Sequence, residues 1–127
     1  MAMTRLILYT KHLDRMVAFY TAHFGYFVHS HPDADDRMTE LRPDGDGVIL
    51  LLHPAGKAQK QGQVQVKLVF DVEDVDAARN SLIAAGVDVG PVHRADGYGF
   101  ANMKDPSGNA VQISGRAAWD RGMTDAG

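Results

Sequence analysis

The sequence RLIL at residues 5–8 returns as KLVF at residues 67–70, a shift of 62 residues along the chain. The same shift places the turn PDGDG at residues 43–47 on DPSGN at residues 105–109. Similarity at a fixed spacing is typical of a chain built from repeated supersecondary units. Few residues are identical across the shift, so the repeat depends on the matched order of elements and turns. We therefore expect two copies of one unit.

Each copy has the pattern of a strand, a helix and three further strands. In the first copy we expect strands at about residues 4–11, 26–32, 36–42 and 47–53, with an amphipathic helix at residues 13–24 that ends at Gly25. In the second copy we expect strands at about residues 64–72, 87–94, 98–104 and 109–114. Its helix begins after the N-cap Asp74 and ends at Gly86.

The length of the chain favours a single domain over residues 1–127. A chain of 127 residues, 45% of them hydrophobic, buries roughly two-thirds of its unfolded surface. Within that domain we expect repeat one at about residues 4–53, a linker at 54–63, repeat two at about 64–114 and a tail at 115–127. The tail holds the single tryptophan, Trp119, and we expect it to be mobile or to dock rather than to join the core.

Composition excludes several classes of partner. The 13 Lys and Arg and 16 Asp and Glu give a net charge of -3 without basic runs, so we expect no nucleic acid. Because there is no cysteine, neither a disulfide framework nor thiolate chemistry is available, which fits the cytoplasm. The apolar run at residues 6–9 is too short for a signal peptide or a membrane span. We therefore expect a soluble, cytoplasmic protein with no membrane contact.

The alternation of side chains along the strands separates two faces. One face is predicted to be wholly apolar and to carry the helices: Leu6, Leu8, Ile49, Leu51, Leu68, Phe70, Val72, Val111 and Ile113. The opposite face is predicted to be mixed: Arg5, Ile7, Tyr9, Val48, Leu50, Leu52, Lys67, Val69, Asp71, Ala110, Gln112 and Ser114. As a solvent-facing surface, this second face would leave a large apolar patch, so we expect a ligand cavity or a subunit interface there.

Two motifs carry a resemblance to a known family. The helix DRMVAFY at residues 14–20, followed by Phe24-Gly25-Tyr26, and the closing DPSGNAVQ at residues 105–112 resemble the vicinal oxygen chelate superfamily. That superfamily includes glyoxalase I, extradiol dioxygenases, methylmalonyl-CoA epimerase, and the bleomycin and fosfomycin resistance proteins. The resemblance covers residues 4–114. It implies an α+β fold of two βαβββ units that form a curved mixed sheet around a cavity, and a homodimer.

The resemblance also implies where a metal would lie. Four strand positions converge on a divalent cation in the metal enzymes of the superfamily, and they correspond to Arg5, Leu50, Lys67 and Gln112. Members place histidine, glutamine or glutamate there. Arginine and leucine offer no lone pair and lysine would have to lose its proton, so Gln112 alone could ligate. We therefore expect neither a metal nor another cofactor.

Other candidate sites are weaker. His29 and His31 share one strand face, a spacing that suits a metal, but they lack an evident third ligand. The acidic cluster at residues 33–36 is interpreted as a hydrated loop. Gly97 and Gly99 flank Tyr98 without the strand-to-helix context of a phosphate loop, so we interpret them as a flexible strand entry from which Tyr98 closes over the cavity.

The favoured function is binding or sequestration of a small molecule without the usual metal. The expected ligand-binding residues are Arg5, Ile7, Tyr9, Leu50, Leu52, Lys67, Val69, Tyr98 and Gln112. Arg5 and Lys67 favour a compact acid as ligand, unless they form internal pairs with Glu40 or Asp71. In the paired arrangement of the family, each pocket would combine Arg5 and Leu50 of one chain with Lys67 and Gln112 of the other. The alternatives are a lyase, isomerase or dioxygenase with a metal held by other ligands, and an interaction subunit with a vestigial pocket.

Overall fold

The computed structural model describes residues 1–29, 38–56, 66–95 and 97–126. The chain divides into two compact units, residues 1–63 and 64–127. Each unit holds a helix and an open, mixed sheet of four strands. The second unit also ends in a further helix.

The first unit has the element order strand, helix and three strands. Its elements are β1 (Arg5–Thr10), α1 (Leu13–His23), β2 (Tyr26–His29), β3 (Thr39–Pro43) and β4 (Ile49–Pro54). The sheet order is β1-β4-β3-β2, in which β1 and β4 are parallel and the other pairs are antiparallel. Thus the first and last strands of the unit lie side by side.

Helix α1 packs its apolar stripe on this sheet. Met16 and Tyr20, one turn apart, are fully buried, and Phe19 is 8% exposed. Full burial of a large apolar side chain stabilises the fold by roughly 1.5–3 kcal/mol. The chain leaves the helix through Gly25, whose φ of 70° lies in the left-handed region that favours glycine, as its position in the sequence predicted.

The second unit repeats this order and adds one element. Its elements are β5 (Lys67–Asp71), α2 (Val75–Ala84), β6 (His93–Ala95), β7 (Tyr98–Lys104), β8 (Ala110–Ser114) and α3 (Arg116–Ala126). The sheet order is β5-β8-β7-β6, again with the first and last strands of the repeat parallel. The predicted N-cap is confirmed, since the Asp74 side chain accepts a hydrogen bond of 3.0 Å from the Ala77 amide.

The turn before β8 is organised by one buried carboxylate. Asp105 is 4% exposed and accepts hydrogen bonds of 2.9 Å from the amides of Ser107 and Asn109. The Asn109 side-chain amide donates a third bond of 2.8 Å. Ser107 and Asn109 of the DPSGN motif are thereby held by a single side chain, which fixes the turn from which β8 enters the sheet.

The predicted α+β class and the two βαβββ units are confirmed. Strand β6 is shorter than expected, covering residues 93–95 rather than 87–94. The preceding residues are held instead by Arg79 of α2, which donates 2.7 Å and 3.4 Å hydrogen bonds to the Gly90 and Val89 carbonyls, and by a 2.9 Å bond from the Gly90 amide to the Asn102 carbonyl of β7. Parts of the predicted second and third strands and of the linker lie outside the described residues. Among the described helices, none is both long and apolar enough to cross a membrane.

The tail at residues 115–127 was expected to be mobile or to dock. Residues 116–126 form α3, which contacts β5 and β7 of its own unit. Its Arg121 forms an ion pair with Glu73, and its Trp119 lies against Tyr98. The segment therefore docks on the second unit.

Candidate functional site

The sheet of the first unit presents one face to its helix and leaves the other open. Strand register decides which residues share the open face, because directly paired residues point to the same side. Arg5, Ile7 and Tyr9 of β1 pair with Ile49, Leu51 and His53 of β4. Ile7 and Tyr9 are 45% and 50% exposed, and the Tyr9 ring lies 5.1 Å from the His53 ring. Ile7 and Tyr9 thus lie on the open face, as predicted.

The prediction for Leu50 and Leu52 is wrong. These two residues pair with Leu6 and Leu8, so they share the helix-bearing face. Leu50 is 2% exposed and Leu52 is fully buried. The four residues 49–52 are all apolar, so their alternation carries no information about which side faces the helix, and only the ladder with β1 decides it. Leu50 and Leu52 are core residues, while Ile49 and Leu51 take the open face.

Arg5 lies on the open face but is not buried. Its guanidinium donates a long hydrogen bond of 3.5 Å to the Thr4 hydroxyl, and it forms no ion pair among the residues the structure describes. The buried Glu40, one of its expected partners, is instead 2.5 Å from Arg42. Because Arg5 is exposed, it needs no internal anion to offset desolvation.

In the second unit the open face follows the prediction. Lys67, Val69 and Asp71 pair with Ala110, Gln112 and Ser114. Asn102 of β7 lies beside Gln112 in the ladder, and its Oδ1 accepts hydrogen bonds from Gln112 Nε2 at 3.0 Å and from Lys67 Nζ at 3.2 Å. Lys67 is exposed and forms no ion pair with Asp71 or with any other described residue. Both cations are therefore surface groups rather than members of buried pairs.

Helix α3 packs on part of this open face and, together with the strands, lines an open cavity of about 470 Å³. We call it the α3 cavity. Its lining comprises Val69, Asp71, Tyr98, Phe100, Gln112, Ser114, Arg116, Ala117 and Asp120. Three predicted binding residues, Val69, Tyr98 and Gln112, are thus brought together, whereas Lys67 is not part of the lining. The volume lies within the range of about 300–1,000 Å³ that is common for small-molecule sites.

The outer wall of the α3 cavity is held by contacts of Tyr98. The Arg116 guanidinium lies 5.7 Å above the Tyr98 ring, and the Trp119 ring lies 5.6 Å from it. Arg116 is also 3.9 Å from Asp120, one helical turn away. The Tyr98 ring is therefore in contact with α3, while its closure over a bound ligand stays a prediction.

Sequence reasoning missed several members of this site. Asp71 and Ser114 were placed on the correct face but were not singled out, and Phe100 was not considered. Arg116, Ala117 and Asp120 were assigned to a tail. The available signal was the Arg116–Asp120 pair at i,i+4 spacing beside the single tryptophan, which is compatible with a helix but does not indicate where that helix packs.

Residues 2–113 match the family model of the Glyoxalase/Bleomycin resistance protein/Dioxygenase superfamily. The chain belongs to this superfamily. The family-matched residues contain both βαβββ units up to the penultimate residue of β8, so the wall of the α3 cavity that α3 supplies lies outside the matched residues. No curated protein sequence matches the chain significantly.

Solved structures of this superfamily fold resemble the chain along most of its length. TnmS3, an antibiotic binding protein from Streptomyces sp. CB03234, is 21% identical with a TM-score of 0.74, over 89% of this chain and 93% of that chain. Lactoylglutathione lyase from Agrobacterium tumefaciens is 24% identical with a TM-score of 0.67, over 89% of this chain and 92% of that chain. At these identities the likeness shows the fold alone, and it includes both a binding protein and an enzyme.

The residues present do not fit the divalent metal of the superfamily's metal enzymes. Arg5 has no lone pair to donate, and Lys67 holds its ammonium group against Asn102. Leu50 points to the helix side, and Gln112 donates to the same Asn102 oxygen. Within the described parts of the chain, no three His, Cys, Asp or Glu side chains come together. His29 lies on β2 in register with Glu40, while His31 and the acidic residues 33–36 lie outside the described residues.

Proposed function

We propose that the protein binds a small organic molecule in the α3 cavity, without the usual metal of its superfamily. The observation that carries the proposal is the composition of the lining, in which Val69, Tyr98 and Phe100 supply apolar surface and Gln112 and Ser114 supply polar groups. Apolar surface combined with a few convergent polar groups is typical of small-molecule sites, and here the charged side chains of Asp71, Arg116 and Asp120 make the lining more polar than is usual. Sequestration of a toxic or signalling compound is the expected biological use.

Independence from metal is supported by the chemistry of the superfamily's ligand positions. A cation at two of them would repel a divalent ion rather than bind it, and neither side chain has a free lone pair in its charged form. The proposed binding therefore depends on shape, aromatic contact and hydrogen bonds. The alternative is a lyase, isomerase or dioxygenase whose metal is held by other ligands. Metal-dependent turnover of any of the probe compounds would favour this alternative.

The prediction that the ligand is an acid requires Arg5 and Lys67 to face one cavity. Neither residue lines the α3 cavity, and they belong to different units. An acid therefore stays a prediction for a site that contains these two cations. Arg5→Gln and Lys67→Gln variants titrated with phenylacetate test it, since both should lose affinity if the prediction is correct.

Binding in the α3 cavity can be tested with a matched pair of valines. Val69 lines the cavity and is 54% exposed, whereas Val66 precedes β5, is 53% exposed and does not line it. We expect phenethyl alcohol to bind the parent protein, and Val69→Gln to weaken binding about fivefold, because roughly 1 kcal/mol of apolar contact is lost. Val66→Gln is the control. Equal loss in both variants, or no binding to the parent protein in calorimetry, would contradict the proposal.

We further propose a homodimer, in which a second copy covers the open face of the first unit. That face carries three large exposed apolar side chains, namely Ile7, Tyr9 and Phe27, which are 45%, 50% and 49% exposed. Symmetric dimers are the commonest means of covering such a face. Light scattering of Ile7→Asp should show a monomer, whereas Ile83→Asp, at a matched exposure of 44% on α2, should keep the mass of the parent protein. A monomeric parent protein at micromolar concentration would contradict the dimer.

The cytoplasmic location expected from the cysteine-free sequence also stays a prediction, which fractionation of the native cells would test.

A further inference from the structure

Several hydrogen-bond donors near the α3 cavity have partners within the protein. Lysine can only donate, so the Asn102 atom facing Lys67 Nζ is its Oδ1 oxygen, and this oxygen also accepts from Gln112 Nε2. Arg116 lies 3.9 Å from Asp120 and against the Tyr98 ring. One N–H of Lys67 and one of Gln112 are thereby bound to Asn102, and the Arg116 guanidinium is held near Asp120.

The acceptors are in the opposite situation. The Asp71 carboxylate lines the α3 cavity, and within the described residues it forms no ion pair and no side-chain hydrogen bond. Because Gln112 directs its nitrogen to Asn102, its Oε1 is left without a partner among the same residues. A carboxylate accepts hydrogen bonds and donates none. Asp71 and Gln112 Oε1 therefore present acceptors to a ligand, while the hydroxyls of Tyr98 and Ser114 in the same lining can donate as well as accept.

The formal charge of the cavity lining also favours a ligand that donates hydrogen bonds and carries a positive charge. Asp71 and Asp120 contribute two negative charges and Arg116 one positive charge, which leaves a formal charge of -1. Arg116 and Asp120 face each other within α3, so the uncompensated charge is that of Asp71. A cationic ligand group would balance it, whereas an anionic group would add a second negative charge beside it.

The aromatic part of the lining suits a flat ligand body. Tyr98 and Phe100 lie with their ring centroids 6.4 Å apart on β7, and Val69 lies on β5 of the same open face. The Arg116 guanidinium already lies over the Tyr98 ring, so a ligand cation would find its partner at Asp71 rather than at this ring. The cavity thus combines aromatic side chains that can contact a ligand ring with the acceptor oxygens of Asp71 and Gln112.

We propose that the α3 cavity selects an aromatic molecule that bears a protonated amine, with its ring against Tyr98 and Phe100 and its N–H groups on Asp71 and Gln112 Oε1. This selectivity rests on the proposed function, because it names the ligand class of the same cavity. Asp71 is exposed, so its contribution is that of a partly screened ion pair rather than of a buried one.

Calorimetric titration with three probes of similar size tests the selectivity: phenethylamine, phenethyl alcohol and phenylacetate. We expect phenethylamine to bind most tightly and phenylacetate most weakly. Asp71→Asn keeps the shape of the side chain and removes its charge, and we expect it to weaken phenethylamine about threefold to fivefold while leaving the alcohol unchanged. Asp88→Asn makes the same charge change in the same unit at an exposed residue that does not line the cavity. This control should retain the preference for the amine.

The outcomes separate the two proposals. Binding of the alcohol without any preference for the amine, or tighter binding of phenylacetate, would overturn the selectivity and leave the proposed function standing. An amine preference that survives Asp71→Asn, or that is lost equally in Asp88→Asn, would overturn the role of Asp71 and with it the selectivity. Absence of binding by all three probes would overturn the proposed function itself. Raising the salt concentration should weaken only the amine.

Discussion

The ring of Trp119 lies 5.6 Å from the ring of Tyr98, which joins the helix that follows the second repeat to a strand inside it. Tyr98 lines the α3 cavity, and Trp119 is the only tryptophan of the chain. The indole is therefore a natural spectroscopic probe of the docking of α3. Its fluorescence reports on the wall of the proposed binding site without the introduction of a label.

Gly97 permits this contact, and its replacement tests it. A Cβ at Gly97 would lie 2.5 Å from Trp119 Nε1, and the φ of 95° is strained for any other residue. We expect Gly97→Ala to lower the free energy of unfolding by about 1–2 kcal/mol from strain alone, and by more because the indole must move. Gly45→Ala has a similar φ of 88° with no atom within 4 Å, so it measures the strain without the clash. Denaturant unfolding followed by Trp119 fluorescence gives both values, and equal losses would contradict the contact.

The two faces of β4 can be tested with neighbouring leucines. Leu50 is 2% exposed on the helix side, and Leu51 is half-buried on the open face. Leu50→Ala should lower the free energy of unfolding by about 2–5 kcal/mol because it leaves a cavity in the core. Leu51→Ala should lower the free energy of unfolding clearly less than Leu50→Ala does. Thermal or urea denaturation of the pair decides the register, and a larger loss at Leu51 would restore the original face assignment.

Stability at high pH should depend on Tyr26. Its hydroxyl donates a 2.6 Å hydrogen bond to the Val48 carbonyl, and burial raises the pKa of Tyr26 because desolvation disfavours the phenolate. The folded protein then holds this proton more tightly than the unfolded chain does. The contribution of protonated Tyr26 to the free energy of unfolding is therefore fully present below about pH 10, and it is lost as the pH rises above that value. Tyr26→Phe should lower the free energy of unfolding by about 1 kcal/mol at neutral pH. In this variant the free energy of unfolding should fall less steeply as the pH rises above about 10. Tyr9→Phe, at an exposed tyrosine, is the control, and an unchanged alkaline fall in Tyr26→Phe would contradict the assignment.

The Asp105 carboxylate should be essential to the turn before β8. Asp105→Ala removes the acceptor of three hydrogen bonds and leaves two buried amides unpaired, so we expect a loss of about 2–4 kcal/mol. Asp44→Ala, in the corresponding turn of the first repeat, changes an exposed carboxylate and should cost less than about 0.5 kcal/mol. Chemical denaturation compares them. Similar small losses would show that the turn is held by its backbone alone.

Removal of metal should leave ligand binding unchanged. Elemental analysis after mild purification should find no stoichiometric divalent ion, because the residues at the superfamily's ligand positions cannot hold one. Dialysis against a chelator should not alter the calorimetric affinity for phenethylamine. A bound ion whose removal abolishes binding, and whose return restores it, would favour the metal-dependent alternative.

How much of the site could be predicted varied with the local pattern. In β5 the sequence KLVFD alternates charged or exposed residues with core residues, so the faces of Lys67 and Asp71 followed from period two alone. In β4 both alternating sets are leucine or isoleucine, and the choice between them is made by hydrogen bonds to β1, a long-range contact that local pattern does not encode. For Arg5 and Lys67 the strand pattern likewise gives the face of each residue but not what covers it.

Helix α3 shows a different limit. Its sequence RAAWDRGMTDA contains few apolar residues, so composition alone favours an exposed tail. It docks through one indole, one guanidinium on a tyrosine ring and one ion pair to Glu73. Each of these contacts depends on where β7 and the segment between β5 and α2 have placed their partners, which only the tertiary structure reveals.

Because α3 follows the family-matched residues, the two sides of the α3 cavity come from different parts of the chain, namely the strands of the second repeat and the terminal helix. The sheet side must satisfy its hydrogen-bond ladders, whereas the helix side has no ladder to satisfy. Substitutions on α3 can therefore remodel the outer wall without altering strand registry. A chimaera that carries a different terminal helix on the same two repeats would inherit the scaffold and acquire a new ligand preference, so that chemical diversification in such a protein can proceed through an appendage rather than through the fold.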